Sequence, residues 1–134
     1  MKRRSLALLV TAGAIVAMAA RPALATNYTT VEGTSGDDRI VGEPQPQEIR
    51  GMGGDDLLGG GKSPDILRGG PGDDRLWTGL GGVPDQAYGG PGNDRLHNSD
   101  SGQVGQLLDG GPGFDICTGD EHDTFIGCEV MKFE

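Results

Sequence analysis

Five aspartates recur at the same place in a short, glycine-rich pattern. Each ends a run of turn-forming residues and precedes an apolar residue by two positions; they are Asp38, Asp56, Asp74, Asp94 and Asp115. Successive members lie 18, 18, 20 and 21 residues apart. Carboxylate and backbone carbonyl oxygens are the ligands that hard divalent cations prefer, and Ca²⁺ takes about six to eight of them. The spacing therefore predicts a row of metal sites.

The pattern around these aspartates is a nonapeptide, G-G-x-G-x-D-x-U-x, in which U is a large apolar residue. Two segments match it fully, Gly69–Trp77 and Gly89–His97. Three others match it nearly: Gly33–Val41, Gly51–Gly59 and Gly110–Thr118. Glycine suits the turn positions, where φ is positive or the backbone approaches an ion closely.

These repeats resemble the RTX, or haemolysin-type calcium-binding, repeat family over residues 33–118, with a weaker tail to about residue 130. The resemblance implies an all-β fold, a parallel β-roll or right-handed β-solenoid, with two nonapeptides in each coil. It also implies that each calcium ion lies between turns two units apart. We therefore expect about five coils and up to four calcium ions on one edge. The metal-binding residues expected there are Gly33, Ser35, Gly36, Asp38, Gly51, Gly53, Gly54, Asp56, Gly69, Gly70, Gly72, Asp74, Gly89, Gly90, Gly92, Asp94, Gly110, Gly111, Gly113 and Asp115.

Poorer nonapeptides alternate with the good ones and predict a second edge. They span residues 42–50, 60–68, 80–88 and 101–109, with Thr78 and Gly79 as extra residues before the third and residues 98–100 before the fourth. Their sixth positions hold Gln47, Asp65, Asp85 and Gln106. Because two of these four lack an acid, we expect this edge to be weakly loaded or empty. At most one metal site is expected there, between Asp65 and Asp85.

The last three residues of each unit predict a short strand whose central side chain points inward. One such side chain per unit cannot form a core alone, so the units must stack. The predicted inward set is Ile40, Ile49, Leu58, Leu67, Leu76, Ala87, Leu96, Leu108 and Cys117.

Residues 1–25 predict an export signal peptide. Lys2, Arg3 and Arg4 precede an apolar run, and Ala23-Leu24-Ala25 is a small-x-small cleavage pattern. The run is short for a membrane anchor. The basic start fits a general export signal, and the twin-arginine route stays an alternative. We expect cleavage after Ala25, a secreted product, and no membrane insertion.

The mature chain would be strongly acidic and rich in glycine. It would hold 109 residues, with twenty acidic and seven basic side chains, a net charge of −13, and 25 glycines. This composition excludes a coiled coil and a large apolar core, and acidity disfavours nucleic-acid binding. A flexible glycine-rich linker is the alternative, but a linker does not require Asp two residues before an apolar residue five times. Because dense carboxylates repel one another, the array is expected to fold when cations are bound.

The only two cysteines, Cys117 and Cys128, favour a disulfide after export. A zinc site that includes His122 is the alternative. Residues 26–32 and 119–134 are expected to cap the two ends of the β-roll, the first with Tyr28 and Val31. Apolar residues of the second cap are Phe125, Ile126, Val130 and Phe133.

No arrangement of residues predicts catalysis. The two histidines, His97 and His122, have no nucleophile at a recognisable spacing, and the segment around Ser35 fits a calcium turn better than a protease motif. Two functions are compatible with the sequence. One is a monomeric, exported calcium-binding protein. The other is a structural or adhesion protein whose outer strand face meets a cell-surface or matrix partner around Arg75, Trp77, Arg95 and His97.

Overall fold

Two sheets form the walls of a parallel β-solenoid. The computed structural model describes residues 17–19, 28–81, 83–99 and 104–133. The strands are β1 (Ala17–Ala19), β2 (Thr29–Glu32), β3 (Arg39–Val41), β4 (Gln47–Arg50), β5 (Leu57–Gly59), β6 (Ile66–Arg68), β7 (Arg75–Trp77), β8 (Gln86–Tyr88), β9 (Arg95–His97), β10 (Leu107–Asp109), β11 (Ile116–Gly119), β12 (Thr124–Ile126) and β13 (Val130–Phe133).

The chain alternates between the two sheets at every turn. Sheet A has the order β1-β2-β4-β6-β8-β10-β12, and sheet B has the order β13-β11-β9-β7-β5-β3. All pairs from β2 onwards are parallel, as the nonapeptide frame predicts. Two consecutive strands, one in each sheet, make one coil, so strands β2 to β13 of the described residues form six coils. This is one more than the sequence predicts, because β12 and β13 complete another coil after the last nonapeptide.

The register keeps one inward side chain above the next through the whole stack. Leu58 lies opposite both Ile40 and Leu76, each 18 residues away in the chain. Leu76 lies opposite Leu96 in the same way, although these two are 20 residues apart. The turns therefore absorb the insertions. The predicted inward set is confirmed, and Val31 of β2 joins it; the buried core is Val31, Ile40, Ile49, Leu58, Leu67, Leu76, Ala87, Leu96, Leu108 and Cys117.

The N-terminal end of sheet A includes part of the predicted leader. β1 lies within residues 1–25 and pairs antiparallel with β2. The rest of the leader, including the cleavage pattern at residues 23–25, lies outside the described residues. Within the part of the chain that the structure describes, no helix is long and apolar enough to cross a membrane.

At the C-terminal end, β12 and β13 extend both sheets. Phe125 packs against the core and meets Phe133 edge-on, with 5.6 Å between ring centroids. Ile126 and Phe133 remain largely exposed. Of the four apolar residues expected in this cap, Phe125 is therefore the one that contacts the core.

Candidate metal centre

Five glycine-rich turns lead from sheet A to sheet B and stack directly on one another. We call this side the aspartate edge; it comprises residues 33–38, 51–56, 69–74, 89–94 and 110–115. The turns lie too close together for side chains at some positions. A Cβ on Gly72, whose φ is +143°, would lie 1.9 Å from the Gly54 carbonyl oxygen. Backbone hydrogen bonds join the turns, including the one from Gly72 N–H to the Pro91 carbonyl oxygen at 3.0 Å.

The sixth-position aspartates form a ladder along this edge. The N–H of Asp56 donates to Oδ1 of Asp74 at 2.7 Å, and the N–H of Asp74 donates to Oδ1 of Asp94 at 2.8 Å. The same bond joins Asp38 to Asp56 and Asp94 to Asp115. The structure therefore brings together all five aspartates that the sequence singles out, one above the next. One oxygen of each carboxylate is used in the ladder, except at Asp38, which no earlier coil of the described residues precedes.

The second oxygen of these carboxylates is buried and has no hydrogen-bond partner. This holds for Oδ2 of Asp56, Asp74, Asp94 and Asp115, and for Oδ1 of Asp38. A buried carboxylate oxygen without a partner is unfavourable, because it has lost water and gained nothing in return. A cation would compensate for this loss, so the donor set fits a bound divalent ion.

Backbone carbonyl oxygens lie close to the same carboxylates. The Cβ position of Gly51 is 2.0 Å from Oδ2 of Asp56 and 2.7 Å from the carbonyl oxygen of Gly69 in the next turn. The equivalent neighbours of the Gly69 Cβ position are Oδ2 of Asp74 at 2.1 Å and the Gly89 carbonyl oxygen at 2.7 Å. Those of the Gly89 Cβ position are Oδ2 of Asp94 at 2.2 Å and the Gly110 carbonyl oxygen at 2.6 Å. The first-position glycines thus let a carboxylate and a carbonyl from two turns converge. These are the oxygen types that Ca²⁺ takes as ligands.

Burial raises the pKa of four aspartates on this edge. The pKa of Asp56 and Asp94 rises to about 7, and that of Asp74 to about 6. The ladder hydrogen bonds oppose the rise, and neighbouring carboxylates add to it. Burial also raises the pKa of Asp115. The edge therefore resists becoming fully charged unless a cation neutralises it.

The first turn differs from the others in its polar contacts. Ser35, expected among the metal-binding residues, is exposed. Thr34 instead donates to Oδ2 of Asp38 through its hydroxyl at 3.0 Å, and also through its N–H. Thr34 was not among the predicted residues, because it occupies the second position, where the pattern has glycine.

A second ladder runs along the outside of the same turns. Oδ1 of Asp37 accepts the N–H of Asp55, Oδ1 of Asp55 accepts the N–H of Asp73, and Oδ1 of Asp73 accepts the N–H of Asn93. These fifth-position side chains point the opposite way along the stack from the sixth-position ones. Their signal in the sequence is the acid that precedes Asp38, Asp56 and Asp74.

The turns on the opposite side form what we call the second edge, whose sixth positions are Gln47, Asp65, Asp85, Gln106 and Asp123. The same kind of ladder runs along it: the N–H of Gln47 donates to Oδ1 of Asp65 at 2.8 Å, and the N–H of Asp65 donates to Oδ1 of Asp85 at 2.7 Å. Gln106 accepts the N–H of Asp85 and donates to the carbonyl oxygen of Val83 at 3.0 Å. Asp123 accepts the N–H of Gln106 and the side-chain amide of Asn98, both at 2.8 Å.

One carboxylate of the second edge resembles those of the aspartate edge. Oδ2 of Asp65 is buried without a hydrogen-bond partner, and burial raises the pKa of Asp65 to about 7. Gly60 lies beside it: the Gly60 Cβ position is 3.1 Å from this oxygen and 2.5 Å from the Thr78 carbonyl oxygen. The single second-edge site expected between Asp65 and Asp85 therefore has one suitable carboxylate oxygen facing the next turn.

The frame assigned to the third poor unit is wrong in detail. Thr78 and Gly79 are not extra residues before the turn: Gly60 faces the Thr78 carbonyl, and the Cβ position of Gly79 is 2.1 Å from the Gly61 carbonyl oxygen. They hold its first and second positions, and the insertion lies later in the turn. The N–H of Asn98 likewise continues the backbone pairing, to the Thr118 carbonyl at 2.8 Å. In both units pairing carries on directly from the preceding strand, so the residues that follow each strand belong to the regular turn.

The expected disulfide between Cys117 and Cys128 is confirmed, with 5.9 Å between the two Cα atoms. Both sulfurs are used in this bond, so the alternative zinc site is wrong. His122 lies instead beside Asp120, with 3.4 Å between Nδ1 and Oδ1, and His97 lies on the outer face of β9.

Among the described residues, no three His, Cys, Asp or Glu side chains converge on one metal position. No curated protein and no solved structure matches the chain. A family model described as the RTX calcium-binding nonapeptide repeat, in four copies, matches residues 29–44, 50–82 and 84–99. With stacked turns that carry this nonapeptide, the chain belongs to the RTX calcium-binding repeat family.

Proposed function

We propose that this protein is exported through the signal in residues 1–25 and folds outside the cell as it binds calcium along the aspartate edge. The observation that carries the proposal is the row of buried, unpartnered carboxylate oxygens at the sixth positions. In the calcium-free chain these oxygens oppose folding, and an ion between each pair of turns reverses the effect. Four gaps separate the five turns, so up to four ions bind there.

The ligands in each gap come from two turns. The sixth-position carboxylate supplies the charge, and the turn carbonyls next to the first-position glycines supply further oxygens. The surroundings of Gly69 support this arrangement, since the Gly69 Cβ position lies 2.1 Å from Asp74 Oδ2 and 2.7 Å from the Gly89 carbonyl oxygen. The remaining glycines expected from the sequence shape the turns.

The experiment is a calcium titration of the chain without residues 1–25. Calcium is expected to increase the β-sheet signal in circular dichroism and to reduce the hydrodynamic radius, and a chelator to reverse both changes. Calorimetry gives the number of ions. A chain that folds equally well with a chelator present would overturn the proposal. Export itself is tested by the mass of the secreted product, which should begin at Thr26.

A second function, as a calcium-stapled adhesion protein without catalysis, has support from the outer face of sheet B. Arg75 on β7 lies directly opposite Arg95 on β9; both are exposed, and neither forms an ion pair with another described residue. They border a groove of about 450 Å³, and Trp77 lies 37% exposed on the same face. On sheet A, by contrast, Arg68 contacts Glu48 at 3.1 Å and lies over the Tyr88 ring.

Binding to insoluble envelope polysaccharide, measured by co-sedimentation, tests this second function. Trp77→Ala is expected to reduce the bound fraction. Tyr88→Ala, the matched aromatic change on sheet A, is expected to leave the bound fraction unchanged. Equal binding by the two variants and the parent chain would remove the reason to assign sheet B this role.

A further inference from the structure

The last turn of the aspartate edge faces a short segment, residues 127–129, that carries no nonapeptide motif. The N–H of Asp115 donates to Oε2 of Glu129 at 2.6 Å, where every earlier rung uses an aspartate. The carbonyl oxygen of Gly127 lies 2.5 Å from the Cβ position of Gly110, just as the Gly110 carbonyl lies 2.6 Å from that of Gly89. Residues 127–129 therefore supply the first-position carbonyl and the sixth-position carboxylate of an abbreviated turn.

The aspartate of the last turn is buried, and one of its carboxylate oxygens has no partner. Asp115 has no exposed surface, and its Oδ2 forms no hydrogen bond. The N–H groups of Glu129 and Val130 both donate to the Asp115 carbonyl oxygen, at 3.0 and 3.1 Å, so the segment is held against the turn. The gap combines high negative charge with an oxygen that lacks a partner.

The disulfide determines where this segment lies. Cys128 stands between Gly127 and Glu129, and its partner Cys117 is buried in β11, two residues after Asp115. The bond therefore fixes the segment beside the last turn, although β12 comes between them in the chain.

We propose that residues 110–115 and 127–129 form one further calcium site, which is closed by Glu129 and kept in place by the Cys117–Cys128 disulfide. The inference rests on the proposed calcium function and adds an ion to the four expected between the nonapeptide turns. Because the abbreviated turn has three residues in place of six, it offers fewer carbonyl oxygens. This ion is the most weakly bound on the aspartate edge.

Glu129→Gln tests the site with little structural change, because glutamine retains an oxygen that can accept the Asp115 N–H. Native mass spectrometry of the full chain in calcium is expected to show one ion fewer than in the parent chain. Glu121→Gln is the matched control: Glu121 is exposed in the same C-terminal region, and its variant should bind the parent number. Reduction of the disulfide should remove the same single ion.

A local measurement covers the case in which ion counts are blurred by partial unfolding. Calcium is expected to slow hydrogen exchange at the Glu129 and Val130 amides in the parent chain and not in Glu129→Gln. Equal ion counts and equal protection in the two chains would overturn the site. The same number of bound ions after reduction would overturn the role of the disulfide. If the parent chain binds no calcium at all, the proposed function fails; if it binds calcium and only the Glu129 comparison fails, this inference alone falls.

Discussion

On the aspartate edge, each sixth-position carboxylate keeps one oxygen buried without a partner, whereas on the second edge Gln106 and Asp123 find partners within the chain. A row of side-chain hydrogen bonds, from Thr78 to Asn98 and from Asn98 to Asp123, runs along the second edge. The two edges stack the same strands with the same register. The difference teaches that a carboxylate in such a stack is satisfied where donors lie beside it, as Asp123 is by Asn98 and Gln106, whereas the carboxylates of the aspartate edge lack a donor for their second oxygen and would gain from a cation.

The largest effect is expected from glycine substitutions that separate the two edges. Gly72→Ala places Cβ 1.9 Å from the Gly54 carbonyl oxygen, so the backbone must move and the chain should lose its calcium-induced β-sheet signal. Gly61→Ala on the second edge also has a positive φ, of +118°, but its nearest neighbour is 3.5 Å away. That change should cost only the left-handed strain, about 1–2 kcal/mol. Thermal unfolding in calcium, followed by circular dichroism, measures both; equal melting temperatures would contradict the closer approach of the neighbouring turn at Gly72 than at Gly61.

Charge removal is the next largest test of the comparison. Asp74→Asn keeps an Oδ1 acceptor for the Asp56 N–H and loses a ligand charge, so mean calcium affinity should fall about tenfold. Asp85→Asn on the second edge should change the affinity by less than about threefold. Calorimetric titration distinguishes the two variants. Equal losses would show that calcium loads both edges alike.

Acid should weaken calcium binding, with a defined sign. The pKa of Asp56 and Asp94 is about 7 in the folded chain, against an ordinary value of 3.8. Between about pH 4 and pH 7, the folded state therefore keeps protons on these carboxyl groups that the unfolded state has lost. The calcium-free fold therefore loses stability as pH rises from about 4 to about 7. Calcium favours the ionised form, so its affinity should fall as pH drops below about 7.

Proton release measures this linkage directly. Calcium added to the lightly buffered protein at about pH 6.5 should acidify the solution, because ions displace protons from raised-pKa carboxylates. Asp65→Asn should keep most of the release, since Asp65 belongs to the second edge. An affinity independent of pH, or the loss of most release in Asp65→Asn, would reverse this assignment.

The smallest effect is a gain in stability at Met52. Met52 has φ of +87° at the second turn position, where Gly70, Gly90 and Gly111 also have positive φ. Met52→Gly should remove strain of about 1–2 kcal/mol and add about 0.5–1 kcal/mol of chain entropy cost, which leaves a gain of up to about 1.5 kcal/mol. The melting temperature in calcium should rise by a few degrees. Met131→Gly, in a strand, should lower it; a fall in both variants would show that Met52 is not strained.

The nonapeptide frame was sufficient to predict strands β3 to β11 and their core side chains, and the family resemblance added the two-unit coil that stacks the aspartates. It worked because each turn must repeat the same backbone path, and only Gly, Asp and an apolar residue at fixed places allow this. Glu129 could not be predicted, since no nonapeptide surrounds it. Its position depends on the disulfide and on the coil formed by β12 and β13, which are tertiary features.

The frame also misplaced Thr78 and Gly79, for a physical reason. Pattern matching aligns the glycines and the apolar residue, whereas the structure aligns backbone pairs that continue out of each strand. Asp37, Asp55 and Asp73 were within reach of prediction, because an acid recurs at the fifth position with the same period. The sequence does not determine which oxygen of each carboxylate stays without a partner, since either oxygen could have joined the ladder.

The constant register between coils also governs how the length of the molecule can change. If residues 51–68 were removed, Arg50 would join Gly69, and β7 would meet β3 with Leu76 opposite Ile40, as Leu58 is now. The aspartate ladder would continue from Asp38 to Asp74 with one rung fewer. The protein can therefore shorten or lengthen in whole coils of about 4.8 Å, and each coil added or removed changes the aspartate ladder by one rung.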